Sequence, residues 1–431
     1  MWKPERHRVV ITGMGMCTSL GRDLPTCWQR LVAGDNGIRR VSFWDASEYP
    51  SKVAAEAGRL LPEETGLSSV PRAWCRRAVR LFLPVVQEAF RDACLDRVPI
   101  PPAQIGLAVG ASVNYLDMAL LKDYFRLRRS DRPALDMERL AQEPVQPENS
   151  FARRLGDLIA SIPAKVLQLG GPAFVVDTAC AASSHAIGEA YRQVRRGRVR
   201  AMVAGGAASL VSPLVVLGFG LLGALTRNPD PEEAARPFDR RRDGFVMGEG
   251  GGAVVLESLE SAQARGARIY AELAGYGSTL NASHTLTDPS PGGAMEAAAM
   301  MQAMKEASLV PEQVEYIAAH GTSTPKNDAV ETAAIKRVFG AHACRLMVSS
   351  NKAQIGHTIS AAGVVNLICA VKAIHDGVVP PTMHLRHPDP ECDLDYVPNQ
   401  SRQARARAAL ANAFAFGGQN AVLAVRAWAS A

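Results

Sequence analysis

A chain of 431 residues that is 47% hydrophobic and 21% charged can bury a large core, which excludes a disordered or fibrous protein. Its eight cysteines include no Cys-x-x-Cys pair, so neither a disulfide framework nor a structural zinc site is expected. The net charge of +6 rests mostly on arginine and comes with no nucleic-acid recognition motif, so nucleic acid is not an expected partner. Met1–Arg8 is charged and lacks an apolar signal core, which leads us to expect a reduced, cytoplasmic setting. Val9–Gly15 reads as a buried strand. Arg72–Arg91 reads as an amphipathic helix: Ala73, Val79, Leu81, Phe82, Val85 and Val86 face inward, leaving Arg76, Arg77 and Arg80 on a basic outer face. Lys122–Phe151 is polar, rich in arginine and interrupted by Pro133, Pro144 and Pro147. It is either a surface excursion or a segment that shapes specificity.

The strand-like Ala173–Val176 runs into Asp177-Thr178-Ala179-Cys180, and the helix-like Ser184–Arg195 runs out of it. Cys180 therefore stands at a helix N-terminus, where the dipole is expected to lower the thiol pKa and favour a nucleophile. The plain alternative is a small buried cysteine. Ala201–Thr226 carries no charge over a length that could span a membrane, but five glycines and Pro213 break it into core pieces, so no membrane span is expected. A second half opens with the helix-like Leu259–Arg265 and the strand-like Ile269–Tyr276, which divides the chain into 1–258 and 259–431. In that half, Glu315–Ala319 leads to His320-Gly321-Thr322-Ser323-Thr324-Pro325, and Val348–Ser350 leads to a polar turn with Lys352 and His357. A single histidine of this kind is more often structural. One cysteine and two histidines, each at the exit of an apolar strand, make a constellation. Asn412–Asn420 adds the Gly417-Gly418 pair, which is either a hairpin or a loop whose N–H groups can hold an oxyanion.

These runs, in this order, resemble the elongating β-ketoacyl-acyl carrier protein synthases of the thiolase superfamily. The ketosynthases of type II polyketide and polyene systems belong to the same group. Val203–Ala207, Gly218–Gly220, Arg236–Asp239 and Arg242–Gly250 extend the resemblance over nearly the whole chain. It implies an α/β, thiolase-type five-layer αβαβα sandwich of two similar halves. It also implies decarboxylative condensation of a malonyl unit with an acyl group held on Cys180. By this resemblance His320, His357 and Lys352 are catalytic, and the backbone N–H groups of Cys180 and Phe416 form the oxyanion hole. Thr322 and Thr324 touch the phosphopantetheine arm, and Asp328 and Glu331 support the site. Phe416, Gly417 and Gly418 gate the acyl channel, and Arg76 and Arg77 dock the carrier. The implied partners are acyl carrier protein and a second subunit, either a copy of this chain or a chain-length-factor-like ketosynthase. No cofactor and no catalytic metal are implied.

Three departures from the family pattern fall on loops: Gln419 in place of a frequent threonine, Lys326-Asn327 in place of small residues, and a shortened Leu225–Asn228. They lean the reading from housekeeping fatty-acid synthesis towards a specialised carrier-protein pathway. Cys180 speaks against a nucleophile-less chain-length factor. The last cysteine, Cys392, precedes the glycine loop, which speaks against a degradative thiolase. Two histidines speak against the initiating type, which pairs histidine with asparagine.

Overall fold

The computed structural model describes residues 6–428 except 59–75, 99, 113–124, 127, 130, 132–133, 135, 143–155, 283–284 and 286. Arg72, Ala73 and most of Lys122–Phe151 lie outside the described residues. Ten strands form the main sheet: β1 (Val9–Cys17), β2 (Ile105–Gly110), β3 (Ala173–Val176), β4 (Ala201–Ala208), β5 (Gly250–Ser258), β6 (Ala271–Leu280), β7 (Tyr316–Ala318), β8 (Met347–Ser349), β9 (Ala408–Phe414) and β10 (Gln419–Arg426). The helices that cover its faces include α1 (Arg77–Asp92), α2 (Leu158–Val166), α3 (Ala182–Arg195), α4 (Ala294–Ala307), α5 (Pro325–Phe339) and α6 (Ala362–Asp376).

The strand order is β8-β7-β9-β10-β6-β1-β5-β4-β2-β3. Outward from the centre, each strand of the first half has a counterpart five strands later in the chain. The directions match as well: β1–β5 and β5–β4 are antiparallel, β4–β2 and β2–β3 parallel, and β6 to β8 repeat the scheme. The duplication is thus plain in topology, although no repeat shows in the sequence. Within the sheet the halves join where Val10 pairs with Glu272 and Ile11 with Ala271.

Helices α1 and α2 cover the outer face of the first half, and α4 and α5 that of the second. Between them, α3 and α6 each touch strands of both halves and form the middle of five layers. Covered on both faces, β1, β4 and β5 are buried along their whole length, which is why they read as continuous runs of valine, alanine and glycine. Gly110, at the end of β2, lets α3 pass directly overhead, since a Cβ there would lie 2.2 Å from the Ser183 nitrogen. The uncharged Ala201–Thr226 resolves into β4 and a helix at Pro213–Leu221. Among the described residues, the stretch apolar and long enough to cross a membrane is Ile359–Asp376, and 78% of it is buried in the middle layer.

Helix α1 buries Val79, Leu81, Phe82, Val85 and Val86 as its pattern predicts, but its first residue corrects the expected docking face. Arg77 is not an outward charge. Its Nε donates to Glu249 Oε1 at 2.8 Å and its Nη2 to Glu249 Oε2 at 2.5 Å, and this carboxylate is wholly buried. Glu249 also accepts from the Ala57 N–H. Removing the guanidinium strands a buried carboxylate. Arg77→Ala is therefore expected to cost about 3 kcal/mol in denaturant unfolding. A loss under about 0.5 kcal/mol, the scale of an ordinary surface substitution, would return Arg77 to the surface.

Candidate active site

The two halves present their equivalent βα turns to each other. From β3 the chain enters a 3₁₀ turn at Ala179–Ala181 and then α3. From β8 it passes through Lys352–Ile355 and His357 to a matching turn at Ile359–Ala361 and then α6. Ala179 at φ 48° and Ile359 at φ 42° share a left-handed conformation that non-glycine residues rarely adopt, least of all a β-branched one. Cys180 and Ser360 thus hold corresponding places. The β7–α5 turn brings in His320.

Cys180, His320 and His357 converge, with their reactive atoms all within 4.8 Å of one another. His357 Nε2 lies 3.0 Å from Cys180 Sγ, and the two imidazole rings stand 5.3 Å apart at 82°. The Ile359 N–H donates to His357 Nδ1 at 3.3 Å. That bond assigns the ring proton to Nε2, the nitrogen facing the sulfur. Burial, followed by the nearby Lys352 ammonium, holds both histidines neutral, well below the usual imidazole range.

The thiol departs from the sequence expectation. Burial pushes Cys180 up to about 12, and this outweighs Lys352 and the backbone N–H groups of Phe416 and Cys180, all of which pull it down. A helix terminus lowers a thiol pKa where water also reaches it, and here the sulfur is enclosed. The two N–H groups reach the sulfur, where they favour the thiolate. Lys352 is itself buried, its Nζ has no hydrogen-bond partner, and burial brings it down to about 8 against the pull of Glu331 and Cys180.

Two buried carboxylates shape the His320 turn through its backbone. Glu331 accepts from the His320 and Gly321 N–H groups, both at 2.8 Å, and from Asn412 Nδ2 at 3.0 Å. Asp328 accepts from the N–H groups of Thr322, Ser323 and Phe238. Thr322 and Thr324 share a hydroxyl hydrogen bond of 2.8 Å and line the cavity that leads to Cys180. That cavity has a volume of about 280 Å³. Phe416, in its lining, stacks on Phe219 at 6.3 Å. The glycine loop turns sharply because Gly418, at φ 76°, sits where a Cβ would meet the Asn281 carbonyl oxygen at 2.6 Å.

Sequence reading missed three contributors. His185 joins Thr178 Oγ1 at 2.8 Å to Ser278 Oγ at 3.0 Å and so ties the turn that carries Cys180 to β6. Asn412 was visible in the glycine-loop run but carried no signal of its contact with Glu331. Phe245, 5.1 Å from His357, closes the site on one side. The thiol and two imidazoles are also a donor set that could close on a soft divalent ion. The buried Lys352 cation beside them opposes further positive charge.

The family models "Beta-ketoacyl synthase, N-terminal domain" and "Beta-ketoacyl synthase, C-terminal domain" match residues 6–262 and 270–386. A 3-oxoacyl-[acyl-carrier-protein] synthase 2 from Synechocystis is 40% identical over 98% of both chains. Its counterpart from Coxiella burnetii is 37% identical over 97% of this chain and 98% of its own. Among solved structures, a ketosynthase in complex with its type II polyketide acyl-carrier protein superposes with a TM-score of 0.85 at 31% identity, covering 98% of this chain and all of that one. A β-ketoacyl synthase from Burkholderia phymatum gives the same score and coverage at 32% identity.

Proposed function

The chain belongs to the β-ketoacyl synthase family, and from that premise we propose that it extends an acyl chain held on Cys180 by two carbons taken from malonyl-acyl carrier protein. It is an acyltransferase of the 3-oxoacyl-[acyl-carrier-protein] synthase type. The observation that carries the assignment of roles is the buried triangle of Cys180, His320 and His357 at the floor of one cavity.

The Cys180 thiolate attacks the thioester carbonyl of an acyl-carrier protein. The oxyanion of the tetrahedral intermediate takes the N–H groups of Cys180 and Phe416. When it collapses, the bond to the arm's sulfur breaks and the departing thiolate takes up a proton. Malonyl-carrier protein then enters. Its carboxylate leaves as carbon dioxide, and the electron pair moves into an enolate whose oxygen accepts from His320 and His357. Neutral Nε2–H donors suit this step, because they stabilise the enolate without quenching it by proton transfer. The enolate carbon attacks the acyl carbonyl, the bond to Cys180 breaks, and the 3-oxoacyl thioester departs. Lys352 favours the thiolate electrostatically. Thr322 and Thr324 position the arm, and Glu331 and Asp328 position His320. No electrons are exchanged, so the reaction calls for no redox cofactor. The two halves, 1–258 and 259–431, supply nucleophile and histidines respectively. We place the enzyme in the cytoplasm as a dimer that works with acyl carrier protein. Identities of 37–40% support a fatty-acid synthase reading. Likeness to a solved ketosynthase/chain length factor at a TM-score of 0.85 supports a second reading, a paired subunit of a polyketide-type pathway.

Intact-mass measurement after exposure to a panel of acyl-carrier proteins tests the proposal. The expected result is a mass gain equal to one acyl group, mapped to Cys180. No adduct from any carrier, or an adduct elsewhere, would overturn it.

A further inference from the structure

The cavity over Cys180 has one lysine or arginine in its lining among the described residues, Lys326. It stands at the rim. Its side chain is 67% exposed, and its ammonium lies 2.6 Å from Asp288 Oδ1. The two groups come from different segments: Lys326 opens α5, and Asp288 lies in the loop ahead of α4. Both line the same cavity. The run from His320 through Thr322 and Thr324 to Lys326 climbs from the buried floor to this rim. Lys326 also stands where the pattern of the resembling family usually has a small residue.

We propose that Lys326 anchors the phosphate of the carrier's phosphopantetheine arm and that Asp288 is the anion it gives up on binding. This rests on the condensing-enzyme reading above and adds to it a subsite for the arm's only charge. The pantetheine portion is uncharged, so a cation at the rim has no other group on the arm to meet. A lysine binds phosphate as a point charge. An exposed ion pair contributes little net stability, so replacing one anion by another is cheap. The exchange keeps the rim neutral, and the Asp288 carboxylate, 35% exposed, turns to water.

The test uses the full chain and three thioesters of one acyl group, on pantetheine, on phosphopantetheine and on carrier protein, with Cys180 acylation followed by intact mass. Lys326→Ala is expected to lower kcat/KM about fivefold for the two phosphate-bearing substrates and to leave acyl-pantetheine unchanged. Lys326→Arg should restore the phosphate-bearing substrates, and Asp288→Asn should improve them. The contrast should fade in a few hundred millimolar salt. An equal loss with all three thioesters, or a loss with none, overturns the phosphate subsite while leaving the condensing reading intact. A wild-type protein that takes no acyl group from any of the three sinks both.

Discussion

Cys180→Ala is expected to abolish acyl capture and condensation while sparing decarboxylation of malonyl-carrier protein. Alanine removes only the sulfur. The fold loses little, since the site stays small and apolar, and His320 and His357 keep their places. His357 Nε2, 3.0 Å from the lost sulfur, remains free to meet an enolate oxygen. Among the described residues no other cysteine lines the cavity: Cys17, Cys27, Cys369 and Cys392 are buried elsewhere, and Cys94 and Cys344 are exposed. Acyl transfer, not general alkylation, is the appropriate probe. Burial pushes the Cys180 thiol up, so exposed Cys94 and Cys344 compete for iodoacetamide. Peptide mapping of the acyl group and a separate assay of carbon dioxide release check both parts. Condensation surviving in the variant would show that another group carries the chain. Loss of carbon dioxide release as well would show that the sulfur, not the imidazoles, organises the malonyl step.

The convergence of Cys180, His320 and His357 was legible because each sits at a junction with a strong local signal. An apolar strand ends, a small or polar turn follows, and a helix begins, as at Val176–Ala182 and Ser349–Ala362. Such a junction needs no knowledge of distant residues. What escaped depends on partners far along the chain or on enclosure. Arg77 looked like one of several surface arginines because Glu249 lies 172 residues away and belongs to the strand region of the first half. The Cys180 thiol looked acidified because the helix start is visible in sequence, whereas the depth of its burial is not. The tautomer of His357 hangs on one backbone N–H, that of Ile359, held in place by a left-handed residue no pattern announces. The duplication is the opposite case: the residues have diverged and the strand order has not, because sheet topology is set by which faces are covered and not by particular side chains.

His320→Ala and His357→Ala should each lower decarboxylation by about 10²- to 10³-fold, the usual loss for one preorganised donor at a developing oxyanion. The structure adds an asymmetry between them. The proton on His357 Nε2 faces Cys180 Sγ, so this ring also steadies the thiolate. His320 makes no hydrogen bond to the sulfur: its backbone is tied to Glu331, and its Nδ1 has no partner. Acyl capture should therefore be near wild type in His320→Ala and about tenfold slower in His357→Ala, the loss of roughly one hydrogen bond to a charged group. Glutamine at 357 keeps an N–H donor and should recover part of both steps. The pH profile gives an independent check. Both rings are shifted well below 6.5, so the donors stay neutral through the physiological range and protonate only in more acidic solution. Carbon dioxide release should then show no imidazole inflection near pH 6.5, the free imidazole value; the first group of the site expected to titrate on the alkaline side is Lys352, at about 8. An inflection near 6.5 would mean that a water-exposed imidazolium takes part. Equal losses of acyl capture in the two alanine variants would mean that both histidines act on the cysteine, and the division of labour drawn from the Ile359 contact would fail.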